Sequence, residues 1–192
     1  MKMNDEKTFR RINEIEQTII HGSIVKISDV ALSAIAKSNY ELFISESSSH
    51  ERYFFPMVYL VPNKLSELLN RSKNIVYSSG LYFGFIKKGQ FFISLEGANF
   101  LHELECFSDK QIIHVNKEGE KSILYGNKIS KKMISKTPLY LKKNTFILIL
   151  NALNELIAIG QSQVDSDVIQ SLDKNGIIAL NFVDKGYYLR KQ

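Results

Sequence analysis

The chain has 192 residues, of which 44% are hydrophobic and 23% are charged, as in ordinary globular proteins. This composition excludes a collagen-like chain, long disorder and a disulfide scaffold. No apolar run approaches the roughly 20 residues of a membrane-spanning helix, and the polar first residues lack the apolar segment of a signal peptide. The single cysteine, Cys106, has no partner for an internal disulfide. We therefore expect a cytoplasmic protein that contacts no membrane.

Basic residues concentrate in the second half of the chain. Residues 1–109 contain 12 Lys and Arg against 13 Asp and Glu, whereas residues 110–192 contain 13 against 7. Residues 110–143 alone hold nine lysines and only two glutamates. Such a division predicts two domains, 1–108 and 109–192, with a polyanion such as nucleic acid bound by the second. A solvated lysine face that binds no partner is the alternative.

Helix and strand patterns alternate in the first half. Apolar residues at helical spacing predict a first helix that is capped by Asn4 or Asp5 and ends at Gly22. A second short helix follows Asp29, and the glycine within Lys87–Gln90 predicts a tight turn. Predicted strands lie at Tyr40–Ser45, Tyr53–Val61, Ile75–Ser78, Leu81–Ile86 and Phe91–Leu95, with further helices from Pro62 to Leu69 and over Ala98–Leu104. The first two strands are expected to form a hairpin.

The second half consists mainly of short predicted strands. Polar turns such as Asn116–Glu120 separate them, and Val168–Leu172 is expected to form one helical turn. The predicted strands are Gln111–Val115, Ser122–Tyr125, Thr145–Leu150, Leu156–Gly160, Ile177–Phe182 and Tyr187–Leu189. Short strands at this spacing indicate a compact β-barrel, so the whole chain is expected to have an α+β fold.

No group of residues in the sequence has the pattern of an active site. The four histidines are scattered and only one cysteine is present, which argues against a metal site. Phosphate-binding glycine loops and a nucleophile elbow are absent from the sequence. His102 and Cys106 lie four residues apart, but a buried structural thiol is the better explanation of that cysteine. We therefore expect no catalytic activity, no metal and no cofactor.

A basic stretch that contains an aromatic residue stands out instead. Tyr125, Gly126, Asn127 and Lys128 follow one another, and Lys131, Lys132 and Lys136 come soon after. Ammonium groups neutralise phosphates, an aromatic ring can stack on a base, and glycine permits a sharp bend or a close approach of the backbone. The alternative explanations are that Tyr125 is a core aromatic and that the lysines are simply solvated.

Several motifs resemble those of the Nip-seven ribosome-biogenesis proteins. Ile123–Lys128 is similar to the F-L-Y-G-N-H motif that opens their PUA domain, and Leu156–Gly160 resembles the family's L-G-x-G strand. Asp184–Arg190 is similar to the ending D-x-G-x-Y-[VL]-R, and Ser79–Phe85 resembles S-L-G-x-x-F-G-K-F. The resemblance runs from about residue 40 to residue 190. The composition, rich in lysine and isoleucine, is closer to that of an archaeal member.

This resemblance implies an N-terminal α/β domain with an antiparallel sheet, followed by a PUA-like β pseudo-barrel. It implies a non-catalytic factor that binds RNA, precursor rRNA above all, and associates with ribosome-assembly or RNA-processing proteins. The expected RNA-binding residues are Tyr125, Gly126, Asn127, Lys128, Lys131, Lys132, Lys136, Lys185 and Arg190.

Two segments depart from the family pattern. Lys131–Met133 stands where the family has K-S-G, and Gln161–Asp167 carries two negative charges where members have basic residues. The second departure weakens one expected RNA contact. It leaves open an alternative function, a protein-interaction adaptor in RNA-processing complexes with little RNA affinity of its own.

Overall fold

A computed structural model describes residues 7–47, 55–71, 76 and 78–190. The chain divides into two compact units, Met1–Cys106 and Phe107–Gln192. The first contains an antiparallel sheet with helices, and the second a nearly closed, barrel-like sheet. The predicted α+β fold class is therefore confirmed. No helix among the described residues is both long enough and apolar enough to cross a bilayer.

The first unit is an antiparallel meander whose five strands follow the order of the chain, β1-β2-β3-β4-β5. Its core includes the buried side chains of Phe43, Tyr59 and Val61, against which Phe9 packs. The elements are β1 Lys7–Arg11, α1 Glu14–Ile27, α2 Ala31–Lys37, β2 Tyr40–Ser47, β3 Met57–Pro62, α3 Asn63–Arg71, β4 Leu81–Lys87, β5 Gln90–Ile93 and α4 Leu95–Glu103.

The start of the first helix was predicted wrongly. Phe9 lies on β1, where its ring stacks on Phe43 with centroids 5.3 Å apart, because pairing with β2 gives this apolar residue a place in the sheet core. The helix begins only after Asn13, whose side chain and that of Glu16 form a reciprocal capping box. It also continues through Gly22 to Ile27. The expected caps Asn4 and Asp5 lie outside the described residues.

Most other predictions for the first unit agree with the structure. β2 and β3 pair as the expected hairpin, and Lys88 and Gly89 both adopt positive φ in the turn between β4 and β5. The predicted strand at Ile75–Ser78 is not observed at its described residues, since Val76 and Ser78 belong to no strand.

The second unit is a six-stranded sheet in the order β7-β11-β10-β9-β6-β8. Its strands are antiparallel except for the parallel pair β6 and β9. The two edge strands, β7 and β8, are joined by a single 3-10 turn at Lys131–Met133, so this short connection bridges the opening of the barrel. The elements are β6 Ile112–Val115, α5 Lys117–Leu124, β7 Ile129–Ser130, β8 Ile134–Lys136, β9 Phe146–Leu150, β10 Leu156–Ser162, α6 Ser166–Ile169, β11 Ile177–Asp184 and α7 Tyr187–Arg190.

Three predictions for the second unit are wrong. The expected turn Asn116–Glu120 and the expected strand Ser122–Tyr125 fall on α5 and its two caps, Asn116 and Tyr125. The Asn116 side chain caps the first turn by accepting from the Gly119 N–H at 2.8 Å. The helix places Ile123 in the barrel core, which satisfies the apolar pattern without a strand. The expected strand Tyr187–Leu189 is the short helix α7.

Candidate nucleic-acid interface

The bend at residues 125–128 is exposed. It follows α5, and Gly126 adopts a φ of +85°, a conformation that an L side chain rarely takes. The Gly126 N–H donates to the Ile123 carbonyl at 2.8 Å, and the Asn127 side chain donates to the Ser122 hydroxyl at 3.1 Å. Tyr125 is 66% exposed, so its ring is not part of the core. The bend thus offers an aromatic ring and a lysine to solvent on a defined backbone.

The Arg190 side chain lies next to Gly126 and stabilises this bend. Its guanidinium donates to the Leu124 carbonyl and forms two hydrogen bonds of 2.9 Å with the buried carboxylate of Asp184. The hydrogen bond with Asp184 raises the pKa of Arg190 above its ordinary value. The Asn181 side chain completes the arrangement, donating to both the Ile123 carbonyl and Asp184. Arg190 therefore joins the bend to the buried Asp184 carboxylate, and its side chain stays 32% exposed.

Lys131 also has hydrogen-bond partners within the unit. Its ammonium donates to the carbonyls of Gln170 at 2.6 Å and Leu172 at 2.8 Å. These two hydrogen bonds connect Lys131 to the segment that follows α6. The ammonium of this predicted site residue thus already has two acceptors within the unit.

The remaining predicted lysines are exposed. Within residues 78–190, no salt bridge involves Lys128, Lys132, Lys136 or Lys185. Lys128 precedes the turn that bridges the barrel opening, Lys132 lies within it and Lys136 follows it. The sequence from residue 121 to residue 154 contains seven lysines and no Asp or Glu, so no carboxylate within this stretch offsets their charge. Lys128, Lys132 and Lys136 are hereafter called the seam lysines.

Both carboxylates of the segment Gln161–Asp167 contact nearby groups of the same unit. Asp165 accepts from the Lys143 backbone N–H at 2.6 Å and lies 3.6 Å from the Lys142 ammonium. The backbone hydrogen bond and, to a smaller extent, Lys142 hold the pKa of Asp165 below its ordinary value. The Asp167 carboxylate accepts from the Val168 N–H at 3.0 Å.

Sequence reasoning did not identify a cleft in this unit. The cleft has a volume of about 430 Å³ and lies beside Lys110, His114, Lys136 and Tyr140. The Lys110 ammonium is 5.6 Å from the centroid of the Tyr140 ring. The sequence Pro138-Leu139-Tyr140, preceded by one lysine and followed by two more, was the available signal. Nothing in this local pattern shows that the segment lies beside Lys110 and His114, which come from another part of the chain.

The one cysteine of the chain, Cys106, is buried. That burial raises the pKa of its thiol and so disfavours the nucleophilic thiolate. Its Sγ lies 3.7 Å from the Leu104 carbonyl. Among the residues that the structure describes, no three His, Cys, Asp or Glu side chains are grouped to hold a metal ion.

The C-terminal unit is similar to PUA domains in sequence. Residues 111–192 match the model of the UPF0113 PUA domain family. A UPF0113 protein of Archaeoglobus fulgidus is 29% identical over 103 residues, which cover 54% of this chain and 56% of that protein. The match thus spans little more than half the length of this relative. It supports the PUA part of the resemblance, and nothing in it singles out the Nip-seven family.

Solved structures show the same fold over nearly the whole chain. A conserved PUA domain protein from Thermoplasma acidophilum superposes with a TM-score of 0.59 and 16% identity, covering 95% of this chain and 97% of that one. A hypothetical protein from Pyrococcus horikoshii gives a TM-score of 0.60 with 11% identity, covering 95% and 98%. The fold is therefore shared with these two proteins, and the C-terminal unit matches a PUA domain in sequence and in fold.

Proposed function

We propose that this protein is a non-catalytic RNA-binding factor that acts through its PUA-like unit. The observation that carries the proposal is the set of exposed seam lysines, which lie in a stretch of the PUA-like unit without acidic residues. PUA domains generally bind RNA, so the chemistry of this surface and the class of the domain agree. The exposed ring of Tyr125 beside the bend adds a stacking surface for a base.

Phosphate contacts dominate this mode of binding. Each lysine that approaches a phosphate releases condensed counterions, which favours binding and makes the affinity fall as salt rises. Lysine counts alone do not specify a sequence, because phosphate contacts position a nucleic acid without reading its bases. The proposal is accordingly for RNA as a class.

We further propose a role in ribosome assembly, within the cytoplasm and together with RNA-processing proteins. The motifs around Ile123–Lys128 and Asp184–Arg190, which resemble those of the Nip-seven proteins, support this finer assignment. Crosslinking in cells followed by sequencing of the bound RNA tests it directly. Enrichment of precursor rRNA would support the role, whereas recovery of unrelated RNA alone would contradict it.

The basic test of the proposed function is equilibrium binding of the full chain to single-stranded RNA and to precursor rRNA fragments. We expect binding at about 50 mM salt, with an affinity that falls steeply as salt increases. If neither RNA is bound at that salt concentration, the RNA-binding function is wrong and the adaptor function takes its place. Binding of the chain to RNA-processing proteins in the absence of RNA would then support the adaptor function.

A further inference from the structure

The cleft beside Tyr140 combines an apolar lining with two lysines. Leu139 is 82% exposed and Tyr140 is 66% exposed, so both side chains present apolar surface to solvent at the rim of the cleft. Lys110 and Lys136 lie on the same cleft, and Asp109 is its single carboxylate. A volume of about 430 Å³ falls within the range of sites for small organic ligands.

The segment that carries Tyr140 is fixed by hydrogen bonds. The Ser166 hydroxyl donates to the Leu139 carbonyl at 2.8 Å, and the Ser166 N–H donates to the Leu141 carbonyl at 2.9 Å. Leu141 itself is fully buried in the barrel core. The exposure of Leu139 and Tyr140 is therefore built into an anchored backbone, so little conformational freedom would be lost when a ligand binds.

A second cleft on the same segment lacks these features. It has about 420 Å³ and is also lined by Thr137, Pro138 and Leu139, but its charged lining residue is Asp167 and no lysine lines it. Leu139 thus separates a cleft flanked by lysines from one flanked by a carboxylate. The first suits an anionic ligand with a flat apolar part, and the second does not.

A nucleotide within a single strand of RNA has this combination of properties. Its base is a flat ring that can stack on an aromatic side chain, and its phosphate is an anion that an ammonium group can neutralise. We propose that the cleft binds one nucleotide of a single-stranded RNA, with the base against the face of the Tyr140 ring that the Lys110 ammonium leaves open and a neighbouring phosphate at Lys110 or Lys136. This inference rests on the proposed RNA-binding function and assigns to it a second contact, apart from the bend at residues 125–128.

The test is the affinity of the full-length Tyr140→Ala variant for a fluorescently labelled decamer of uridine at about 50 mM salt. Loss of one base–aromatic stack predicts a weakening of about 5- to 150-fold. Tyr140→Phe keeps the ring and is expected to bind within about twofold of the natural chain. Phe182→Ala is the matched control, because it truncates another exposed aromatic side chain of the same unit, and it should leave binding unchanged.

A decamer with abasic positions provides the second measurement. If Tyr140 stacks on a base, removal of the bases should reduce the difference between the natural chain and Tyr140→Ala. Unchanged binding by Tyr140→Ala overturns the cleft proposal, whether the cleft is then empty or holds a peptide, while leaving the RNA-binding function in place. If the natural chain binds precursor rRNA fragments but not the decamer, the cleft proposal alone is overturned, whereas failure to bind either RNA overturns both. Circular dichroism of each variant confirms that the fold is intact.

Discussion

Replacing the three seam lysines with glutamine tests the electrostatic part of RNA binding. The variant combines Lys128→Gln, Lys132→Gln and Lys136→Gln, which removes three charges without introducing repulsion. All three side chains are exposed, so the free energy of unfolding should barely change. A fall in affinity can then be attributed to lost phosphate contacts.

The structure sets the expected magnitude, since three exposed ammonium groups allow three phosphate contacts. Each contact with single-stranded nucleic acid contributes about 0.7 to the slope of log K against log salt, so the slope should become shallower by roughly 2. At about 50 mM salt the same relation gives roughly 0.9 log units per contact, or a loss of affinity of roughly 500-fold. The effect should shrink as salt is raised.

Fluorescence anisotropy over a series of salt concentrations measures both quantities. The control variant carries Lys37→Gln, Lys64→Gln and Lys88→Gln, which lower the net charge equally but lie on exposed positions of the first unit. We expect the control to keep most of the natural slope. Lys131 is left unchanged in both variants, because its ammonium is bonded to two carbonyls and its loss would disturb the fold. Equal slopes for the natural chain and the seam variant would refute the reasoning.

Three further predictions concern the supporting interactions. Arg190→Gln should lower the melting temperature by leaving the buried Asp184 carboxylate without its cation, and a melting curve equal to that of the natural chain would contradict this. The side-chain hydrogen bond from Arg10 holds the pKa of Glu16 below its ordinary value, so the stabilisation from Glu16 is present at neutral pH and lost as pH falls through its folded-state pKa; urea unfolding of Glu16→Gln should accordingly lose less stability on acidification than the natural chain does. Cys106 should resist iodoacetamide at pH 7.5 until denaturant unfolds the first unit, and rapid alkylation of the native chain, followed by mass spectrometry, would show that its thiol is accessible.

Local patterns were sufficient where neighbouring residues determine the structure. The turn between β4 and β5 was predictable because Gly89 supplies a positive φ, and the hairpin of β2 and β3 because two apolar segments flank a polar one. The start of α5 was also present in the sequence, since Asn116 is a good cap and Glu118 and Glu120 follow in the first turn. It was missed because Ile123-Leu124-Tyr125 is a short apolar run, which fits a strand and a helix equally well.

Long-range pairings decide the cases that local patterns do not. Phe9 fits a helix by spacing, but its place is fixed by β2, more than 30 residues away. Arg190 was predicted to bind RNA, and that remains a prediction. Its partners in the structure are the Leu124 carbonyl, 66 residues distant, and the buried carboxylate of Asp184. No local pattern indicates that such a residue also supports the bend.

The same limit applies to counting charges. In the sequence, Asp165 is a negative charge where similar proteins have positive ones, and it therefore argues against RNA binding. In the structure its carboxylate holds the Lys143 N–H and pairs with Lys142, so it anchors the end of the segment that presents Tyr140. Lys131 is the opposite case. Its positive charge counts in favour of RNA binding, but its ammonium already donates to two carbonyls of the unit. Counting Asp165 therefore overstates the repulsion that a phosphate would meet at this unit. Counting Lys131 overstates the attraction. The seam lysines, exposed and without a salt bridge within residues 78–190, are the better measure of what an RNA backbone would meet.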